Sequence, residues 1–506
     1  MAIVRLAGYN IDIDQLELVL AGEKDKRVLT PESISAAYAR ISRSSKDVTE
    51  LRRKAADHLI KARISNTKIV HEMGHHSIAE HTVFNFDIIG VSRLGLEWLE
   101  MFRLISETEK SQRYVTMEGD LVIPKEFDDG ERGLYLKITK DIQNKFYSDN
   151  LPILIKYQNE LNPGLNDKLI EGLAKEDDRY VLSLGTKGQV GMTINARNLE
   201  YMIKMADANP YLEIRELGKK LRRLGSGVAP SLIKNIEAKE YFKDGQSNLE
   251  RFFEKEVDVH RLLRTMELTR IIPPPTYDGV AENSMRKKGE AKLINYTPDA
   301  DNKIVAALIR SGTGLPIEKA YLAATYMSDE AKKNMIKARL NGIEKWDAVP
   351  REFEMVDIVF EADISASNFA QLKRHRMATL LPGKYDLSLG VTMPESIKAT
   401  GLERKFMEVI EKTNNAYYEL RKTQPTACNY ILTNAHRRSV VMKMNLRELH
   451  HFSRLREDEH AQWDIRYLAN SIVEQTKEVM PIITSFIGGK HEFESIKNKL
   501  YNPESS

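Results

Sequence analysis

The chain repeats itself over most of its length, and this repeat constrains the fold more than any other feature of the sequence. Ile60–Arg63 recurs as Ile336–Arg339, and Val83-Phe84 recurs as Val359-Phe360, both with an offset of 276 residues (336 − 60). Solenoid repeats have periods of about 20 to 50 residues. A period as long as this one therefore indicates two whole domains in tandem.

The second half of each copy matches at a shorter offset. In chain order the matching segments are Tyr180–Leu182 with Tyr430–Leu432, Asn195–Leu199 with Asn445–Leu449, and Glu213–Arg215 with Asp464–Arg466. The first two pairs lie 250 residues apart (430 − 180), and the third is one residue out of step. Chance similarity would not keep this order, so the sequence predicts a duplicated domain.

The limits of the matches predict the domain boundaries. We expect copy one at residues 1–235, a linker at 236–290 and copy two at 291–506. The linker is polar and helix-like at first, and the run Pro273-Pro274-Pro275 follows. Three consecutive prolines cannot continue a helix and favour an extended connection.

Each copy is predicted to mix helices and strands. Amphipathic spacing of apolar residues predicts helices at 46–64 and 328–341. The remaining predicted elements are strands at Thr82–Ile88 and Asp357–Ile364, and helices at Asn195–Met205 and Asn445–Leu455.

Composition narrows the class of protein. The 506 residues carry a net charge of +3, which does not indicate a dedicated nucleic-acid or membrane binder. No apolar run approaches the ~18 residues of a membrane span, and the N-terminus lacks the pattern of a signal peptide. Cys428 is the single cysteine. An internal disulfide is therefore impossible, which favours a cytoplasmic location, and we expect Cys428 to be a buried apolar residue rather than a nucleophile.

One motif resembles a zinc site. His71-Glu72-Met73-Gly74-His75, with His81 ten residues after His71, has the ligand spacing of a metalloprotease. On a helix, His71 and His75 would share a face, with Glu72 as the base. However, Ile78 replaces the glycine that turns the third ligand back, and the motif runs directly into a predicted strand. A set of core and capping histidines is therefore favoured over a zinc protease.

A family resemblance accounts for His75, Ser77, Glu80 and His81 together. His75-x-Ser77-x-x-Glu80-His81, followed by Arg103-x-x-Ser106-x-x-Glu109-x-Ser111-x-Arg113-Tyr114, resembles the flavin-dependent thymidylate synthases, whose signature is R-H-R, a spacer and S-x-N-E-x-S-x-R-Y. Copy two contains Arg374-His375-Arg376. It also ends in a block similar to that of the family: Asn445-x-Arg447, His451-Phe452, Leu455-Arg456 and His460–Arg466.

The resemblance implies an α+β fold, in which each copy is an antiparallel sheet flanked by helices and the two copies form an intrachain pseudo-dimer. It also implies FAD as cofactor, deoxyuridine monophosphate (dUMP) as substrate, and methylenetetrahydrofolate and NADPH as co-substrates. Reduced flavin then carries the methylene group to C5 of the uracil without a cysteine nucleophile. Because the family assembles as homotetramers, we expect a homodimer of this chain that forms a pseudo-tetramer, with no nucleic-acid or membrane partner.

The two copies have lost complementary parts of the family's site. In copy one, Met101-Phe102 replaces the first two residues of R-H-R, and Ala206 stands where copy two has Arg456. In copy two, Asn429 stands where copy one has Arg179, and the E-x-S-x-R-Y segment is gone. Since the resemblance implies a site shared between subunits, pairing copy one with copy two gives one complete site per chain.

The predicted nucleotide site combines residues of both copies: Glu109, Ser111, Gln112, Arg113 and Arg179 from copy one, and Gln371, Arg374 and Arg456 from copy two. Arginine forks and a hydroxyl suit a phosphate monoester. We assign Arg456 and Arg374 catalytic roles, because a fixed guanidinium can stabilise the charge that develops on the uracil carbonyl oxygens.

The predicted FAD-binding residues are His75, Ser77, Glu109, Asn195, Arg197, Arg374, His375, Arg376, Asn445, Arg447 and His451. No G-x-G-x-x-G motif occurs, so a Rossmann turn would not hold the flavin. The segment Arg351–Asp357 shows no counterpart of H-x-S-x-x-E-H in copy two. Simple intradomain ion pairs are an equally good interpretation of Arg197, Arg215 and Arg466, and Trp98 and Phe102 are read as filling a former ligand site.

Two alternatives to thymidylate synthesis remain open. Leu380–Leu387 looks like an insertion at the nucleotide-contacting loop, which would suit a flavoenzyme acting on another pyrimidine or a related ring. The second alternative is a pseudoenzyme that binds nucleotide or flavin without turnover.

Overall fold

The computed structural model describes residues 2–117, 119–233 and 290–501, so the predicted linker lies outside the described residues except for Glu290. The described chain forms two compact units. Unit one contains residues 2–142, 183–233 and 415–432, apart from residue 118, and unit two contains 143–182, 290–414 and 433–501. Each unit therefore includes a segment that belongs, by sequence, to the other copy.

The two sheets have the same topology. In unit one the strands are β1 (Ile3–Tyr9), β2 (Val83–Ser92), β3 (Ile105–Glu109) and β4 (Lys187–Asn195), in the spatial order β1-β2-β4-β3. In unit two they are β5 (Ala291–Tyr296), β6 (Asp357–Ser365), β7 (Thr379–Tyr385) and β8 (Arg437–Asn445), in the order β5-β6-β8-β7. All the pairings are antiparallel. The predicted strands and the α+β fold are confirmed, and Leu380–Leu387 is not an insertion, because β7 is the counterpart of β3.

Helices surround each sheet. Those with residue numbers below 234 are α1 (Ile13–Leu20), α2 (Glu32–Tyr38), α3 (Val48–Asp57), α4 (Leu59–Thr67), α5 (Arg93–Leu99), α6 (Asp129–Ile138), α7 (Lys145–Leu161), α8 (Asp167–Asp178), α9 (Ala196–Asp207) and α10 (Leu212–Val228). Those after residue 290 are α11 (Ala300–Thr313), α12 (Ile317–Tyr326), α13 (Asp329–Leu340), α14 (Ala366–Leu372), α15 (Glu395–Ala399), α16 (Glu403–Arg421), α17 (Leu446–Arg456), α18 (Trp463–Val479) and α19 (Phe493–Tyr501). None of the described helices is both long enough and apolar enough to cross a membrane.

The prediction of one helix over residues 46–64 was wrong in one respect. The segment forms two helices, α3 and α4, which are divided at His58, where φ is −123° and ψ is 53°. The break involves neither glycine nor proline, so composition could not indicate it. The start of α3 is marked in the usual way, because the Asp47 carboxylate accepts a hydrogen bond from the Glu50 amide.

Strand register corrects the alignment of the two copies. Val83 lies opposite Asn195 in the first sheet, and Asp357 lies opposite Asn445 in the second, so β2 and β6 correspond at an offset of 274 residues (357 − 83). The sequence match placed them 276 apart. A slip of two residues leaves each side chain on the same face of the sheet, and the apolar pattern therefore fits both alignments.

A tyrosine from the other copy anchors each unit. In unit two, the Tyr180 hydroxyl donates to the Asp464 carboxylate (2.9 Å), which also accepts from Ser365 Oγ (2.6 Å). In unit one, the Tyr430 hydroxyl donates to Glu213 (2.8 Å). Glu213 likewise accepts from the hydroxyl of Ser92. All these groups are at corresponding positions in the repeat, so the exchange of segments is reciprocal.

The exchanged segments are also held by backbone hydrogen bonds. In unit two, the Asn434 and Ala435 amides donate to the carbonyls of Leu182 and Tyr180 (both 3.0 Å). In unit one, the Leu184 and Gly185 amides donate to Leu432 (2.7 Å) and Tyr430 (2.9 Å). Neither sequence copy therefore closes its own compact unit, because part of the structure around each sheet comes from the other copy.

We expect Tyr180→Phe and Tyr430→Phe each to cost about 1 to 3 kcal/mol of stability, because each removes a buried hydrogen bond to a carboxylate. For units of this size, each kcal/mol lowers the melting temperature by about 2 to 4 °C. Differential scanning calorimetry of the whole chain measures the effect. The matched control is Tyr326→Phe, since Tyr326 is 83% exposed. Equal melting temperatures for all three variants would contradict the anchoring role.

Candidate functional site

The R-H-R segment follows the last turn of α14, and its histidine is buried. His375 Nδ1 lies 3.0 Å from a Glu448 carboxylate oxygen, and His375 Nε2 accepts a hydrogen bond from Arg456 Nε (2.9 Å). Arg456 Nη2 also donates to the backbone carbonyl of Gln371 (3.1 Å). Glu448 and Arg456 are on α17, whose first turn is capped by the Asn445 side chain. Helix α17 and the end of α14 therefore hold Arg456 jointly.

This geometry determines the state of His375. Because Nε2 accepts from a guanidinium, the ring proton must be on Nδ1, where it can be donated to Glu448. Burial, reinforced by the charges of Arg456 and His451, lowers the pKa of His375 well below its usual value. The ring is therefore neutral at physiological pH. It acts as a bridge between the Glu448 carboxylate and the Arg456 guanidinium.

A second chain of hydrogen bonds connects α14 with the segment supplied by copy one. Gln371 Nε2 donates to Gln462 Oε1 (3.2 Å), and Gln462 Nε2 donates to the Tyr180 hydroxyl (2.9 Å). Tyr180 follows Arg179, whose carbonyl accepts from Asn434 Nδ2 (2.9 Å). The structure therefore places Arg179 of copy one in the same unit as Gln371, Arg374 and Arg456 of copy two.

The surroundings of Arg179 are buried and acidic. The Asp177 carboxylate accepts from Trp463 Nε1 (2.7 Å) and Ser396 Oγ (2.6 Å). Burial raises the pKa of Asp177 to about 6 and, together with the charge of Asp177, raises that of the neighbouring Asp178 well above its usual value. The two carboxyl groups beside Arg179 therefore take up protons at a higher pH than ordinary aspartates do.

At the corresponding positions in unit one, aromatic side chains replace the polar network. After the β-bulge in β2 the offset is 273, because Ser92 lies opposite Lys187 and Ser365 opposite Arg437 (365 − 92). Trp98 therefore corresponds to Gln371 and Phe102 to His375, and Tyr201 corresponds to His451 at the offset of 250. The centroid of the Phe102 ring lies 5.0 Å from that of Trp98 and 5.8 Å from that of Tyr201. In unit two, the corresponding ring centroids of His375 and His451 are 5.7 Å apart. The interpretation of Trp98 and Phe102 as filler agrees with this packing.

The arginine positions of unit one are likewise replaced. Asn429, the counterpart of Arg179, donates its amide to the Tyr211 hydroxyl (3.0 Å). Ala206, the counterpart of Arg456, is fully buried. The unit-one counterpart of the Arg179–Arg456 region therefore lacks both guanidinium groups.

The predicted substrate residues of the E-x-S-x-R-Y segment lie in unit one. Glu109 is engaged in a buried ion pair with Arg93 (2.6 Å), and Gln112 is buried. Ser111 Oγ accepts from the Arg113 amide (3.2 Å), and the Arg113 guanidinium lies 5.6 Å from the centre of the Tyr114 ring. Burial alone would lower the pKa of Arg93, but the charges of Glu109, Glu100 and Glu97 outweigh burial and raise this pKa above its usual value. The roles of these residues toward a nucleotide stay predictions.

Two of the predicted flavin residues line a basic cleft of about 830 Å³ in unit one. His75 and Ser77 are at its wall, and its other charged lining residues are cationic: Arg40, Arg43, Lys46, Lys54 and Lys61. A pyrophosphate requires such donors, and the volume is within the range of ligand pockets. The residues of this cleft therefore fit the diphosphate of a dinucleotide cofactor.

The N-x-R motifs have the same structural role in both copies. Asn195 and Asn445 cap α9 and α17, while Arg197 pairs with Glu80 and Arg447 with Glu354 (2.9 Å). Glu80 and Glu354 correspond at the corrected offset of 274. The prediction that Arg351–Asp357 retains nothing of H-x-S-x-x-E-H was therefore wrong for its glutamate. The ion-pair interpretation holds for Arg197, and Arg447 forms the corresponding pair in copy two. Arg215 and Arg466 instead donate to backbone carbonyls.

The H-E-x-x-H segment does not form a zinc-binding helix. The helical turn Lys68–Glu72 ends before His75, and Gly74 has φ +75°. His71 contacts the Ser231 carbonyl (3.2 Å), and its ring lies 3.9 Å from Glu200. In the described ranges, no group of three or more histidine, cysteine or acidic residues could hold a metal.

Cys428 is buried, as predicted, and burial raises the pKa of its thiol to about 11. A thiol in this state is a poor nucleophile at neutral pH.

Sequence reasoning missed Glu448, Gln462 and Tyr180 as members of the network. A signal for Tyr180 was available, because Tyr180 and Tyr430 match in the repeat beside the Arg179/Asn429 difference. The repeat carries no such signal for Glu448, because its counterpart in copy one is Asn198.

The family model described as "Thymidylate synthase complementing protein" matches residues 26–231 and 292–482. Together these matches cover more than half of the chain, and each lies within one of the predicted copies. The chain belongs to this family and carries its domain twice.

Individual relatives match either one copy or both. A flavin-dependent thymidylate synthase from Geobacter sulfurreducens is 30% identical over 209 residues, which is 40% of this chain and 82% of the relative. A UPF0159 protein from Chlamydia muridarum is 22% identical over 450 residues, or 83% of this chain and 79% of the relative. A crystal structure of thymidylate synthase X from Helicobacter pylori with FAD and dUMP aligns with a TM-score of 0.31 at 20% identity, covering 46% of this chain and 98% of that chain.

We expect the His375 ring to stay neutral, with its proton on Nδ1, between about pH 6 and pH 8, where an ordinary histidine titrates. The reason is that protonation of Nε2 would lose the hydrogen bond from Arg456 and bury a second positive charge. Nitrogen NMR of histidine-labelled protein measures the tautomer, and the variant His375→Asn assigns the signal. A ring that takes up a proton near pH 6.5 would show that the bridge does not form.

Proposed function

We propose that this protein catalyses the FAD-dependent reductive methylation of dUMP at C5, with methylenetetrahydrofolate as the carbon donor and thymidylate as the product. One composite site per chain carries the reaction. The observation that supports this most directly is that Arg179 lies in unit two with Gln371, Arg374 and Arg456. At the corresponding positions of unit one, neutral and aromatic side chains take the place of these residues.

Arg179 is assigned to the phosphate of the nucleotide. Its guanidinium is largely buried, and its backbone is fixed on both sides, by Asn434 at its own carbonyl and by the bonds of Tyr180. An arginine held in this way can bind a phosphate monoester through two parallel hydrogen bonds. For Ser111, Gln112 and Arg113, which lie in unit one, a role in binding the nucleotide phosphate is likewise a proposal.

Arg456 and Arg374 are assigned to the pyrimidine. Activation of the ring so that C5 becomes nucleophilic places negative charge on the ring carbonyl oxygens, and a guanidinium already fixed in position stabilises that charge without reorganisation. The bridge through His375 to Glu448 supplies this fixation for Arg456. Arg374 is exposed at the start of the loop after α14, and Gln371 provides an amide toward the same ring.

The unit-one cleft with His75 and Ser77 is assigned to FAD. Arg374, Arg376 and Asn445, which lie in unit two, are also proposed to contact FAD. When bound, the flavin supplies the redox chemistry and transfer of the one-carbon group, with NADPH as reductant. The protein's own part is to hold the diphosphate by cationic groups and to position the nucleotide. We further propose that two chains form a pseudo-tetramer, and that the protein works in the cytoplasm, as its single cysteine favours.

Rescue of a thymidine-requiring bacterial strain tests the proposed reaction. We expect the wild-type chain to rescue growth and Arg179→Ala to fail, because a lost phosphate contact weakens nucleotide binding by about 100-fold, or 2.7 kcal/mol. Asn429→Ala, at the corresponding position of the other copy, is the matched control and should still rescue.

The pattern of outcomes separates the alternatives. Equal loss of rescue in both variants would contradict a single composite site. No rescue by a wild-type chain that still binds flavin and dUMP would favour the pseudoenzyme, and turnover of a different pyrimidine nucleotide in a product screen would favour the altered-substrate enzyme.

Flavin binding is tested on the purified protein. We expect a visible absorption spectrum of bound FAD, released by heat, and a lower flavin content in the double variant Lys54→Gln, Lys61→Gln, because both lysines line the unit-one cleft. Lys345→Gln, Lys384→Gln makes the same charge change outside this cleft and should retain flavin. A colourless protein that cannot be reconstituted with FAD would overturn the proposed chemistry.

A further inference from the structure

Unit two contains a second cleft, of about 400 Å³, which includes none of the residues assigned to nucleotide or flavin. It lies at the start of β8 and the first turns of α18. The side chains that matter for its chemistry are Thr392, Lys398, Arg437, Trp463, Arg466 and Tyr467. The cleft is therefore basic on one side and aromatic on the other.

Arg437 is the distinctive group of this cleft. Its side chain is only 5% exposed, and Nε donates to Thr392 Oγ1 (2.9 Å). Among the described residues, no carboxylate forms an ion pair with Arg437, although it lines the cleft. Burial lowers the pKa of Arg437, although the charges of Asp464 and Asp363 oppose this shift. Burying a guanidinium without a carboxylate in direct contact is costly. An anion that entered the cleft would remove that cost.

The rim adds two further cations. Lys398 is exposed and pairs with Glu395 at 3.3 Å, while Arg466 donates to the Glu459 carbonyl (2.9 Å). Asp464 is the acidic lining residue, and its carboxylate already accepts hydrogen bonds from Tyr180, Ser365 and Asn368. The cleft therefore has more positive than negative charge.

The aromatic wall is rigid. The Trp463 ring stacks on Tyr180 with centroids 5.5 Å apart, and its Nε1 donates to Asp177 (2.7 Å). Tyr467, one turn further along α18, is about half exposed. In copy one, Lys187 and Leu212 stand at the positions of Arg437 and Trp463, so the combination of a buried arginine and an indole belongs to copy two alone.

We propose that this cleft binds a small aromatic oxyanion, with its phosphate or carboxylate group on Arg437 and its ring against Trp463 and Tyr467. Lys398 and Arg466 bind the outer oxygens. The site is separate from the proposed methylation site, and its occupancy does not depend on that function.

Tryptophan fluorescence of the full chain tests the proposal. Trp98→Phe, Trp346→Phe leaves Trp463 as the single tryptophan of the sequence. We expect a saturable change on titration with phenyl phosphate, a smaller one with benzoate, and weaker binding of inorganic phosphate, which lacks the ring. Arg437→Gln should abolish the response. Lys398→Gln and Arg466→Gln, at the rim, should each weaken binding by about tenfold.

Two matched variants give the control. Lys187→Gln makes the Arg437 change at the counterpart position, and Arg179→Ala removes the proposed phosphate arginine of the other site; both should leave phenyl phosphate affinity unchanged. Circular dichroism checks that Arg437→Gln is folded. If Arg437→Gln does not fold, the affinities of the rim variants Lys398→Gln and Arg466→Gln still test the site. Three outcomes would overturn the proposal: a response that the rim substitutions do not weaken, loss of binding in Arg179→Ala, or fluorescence that does not change when phenyl phosphate is added.

Discussion

The hydrogen bond from a tyrosine of one copy to a carboxylate on a helix of the other is the interaction on which the rest of this structure depends. Tyr180 reaches Asp464 in unit two, and Tyr430 reaches Glu213 in unit one. Both hydroxyls are buried, so each must be paired, and the partner is available only from the other copy. The two compact units are consequently built from both halves of the chain, and removing either half would expose buried groups of the other.

This exchange explains how the two halves could diverge without losing a site. The residue before each tyrosine is carried into the opposite unit with it. Arg179 therefore lies in unit two, next to Tyr180 of the polar network, and Asn429 lies in unit one, where it donates to the Tyr211 hydroxyl. A loss in copy one at Met101-Phe102 and a loss in copy two at Asn429 therefore affect the same unit. Unit one could become a hydrophobic support, with Trp98 and Phe102 packed where unit two has Gln371 and His375, while unit two kept its guanidinium groups.

The sequence was sufficient for the duplication, the strands and the presence of Arg179 beside copy two, because each rests on matches that survive in order along the chain. Prediction from the sequence failed where two different alignments fit the same pattern of apolar residues. The register of β2 against β6 was two residues out, since alternation repeats every second residue, and the counterpart of Glu80 was missed for that reason. The break at His58 and the buried state of His375 depend on tertiary packing, which apolar periodicity does not describe. Assignments to bound nucleotide and flavin, such as those of Arg113 and His451, stay predictions.

The neutral histidine in the R-H-R segment shows why the polar network cannot be reduced to its arginines. A charged His375 beside Arg456 would repel it, and an apolar residue would leave the guanidinium without its acceptor and Glu448 without its donor. Burial favours the neutral form of His375. The neutral ring can donate one hydrogen bond to the Glu448 carboxylate and accept one from the Arg456 guanidinium, so both ring nitrogens are paired. Phe102 occupies the corresponding position in unit one, where Asn198 and Ala206 replace the other two members. The histidine, the glutamate and the late arginine were thus lost together in copy one, which is expected if the three side chains function as one unit that fixes a single guanidinium.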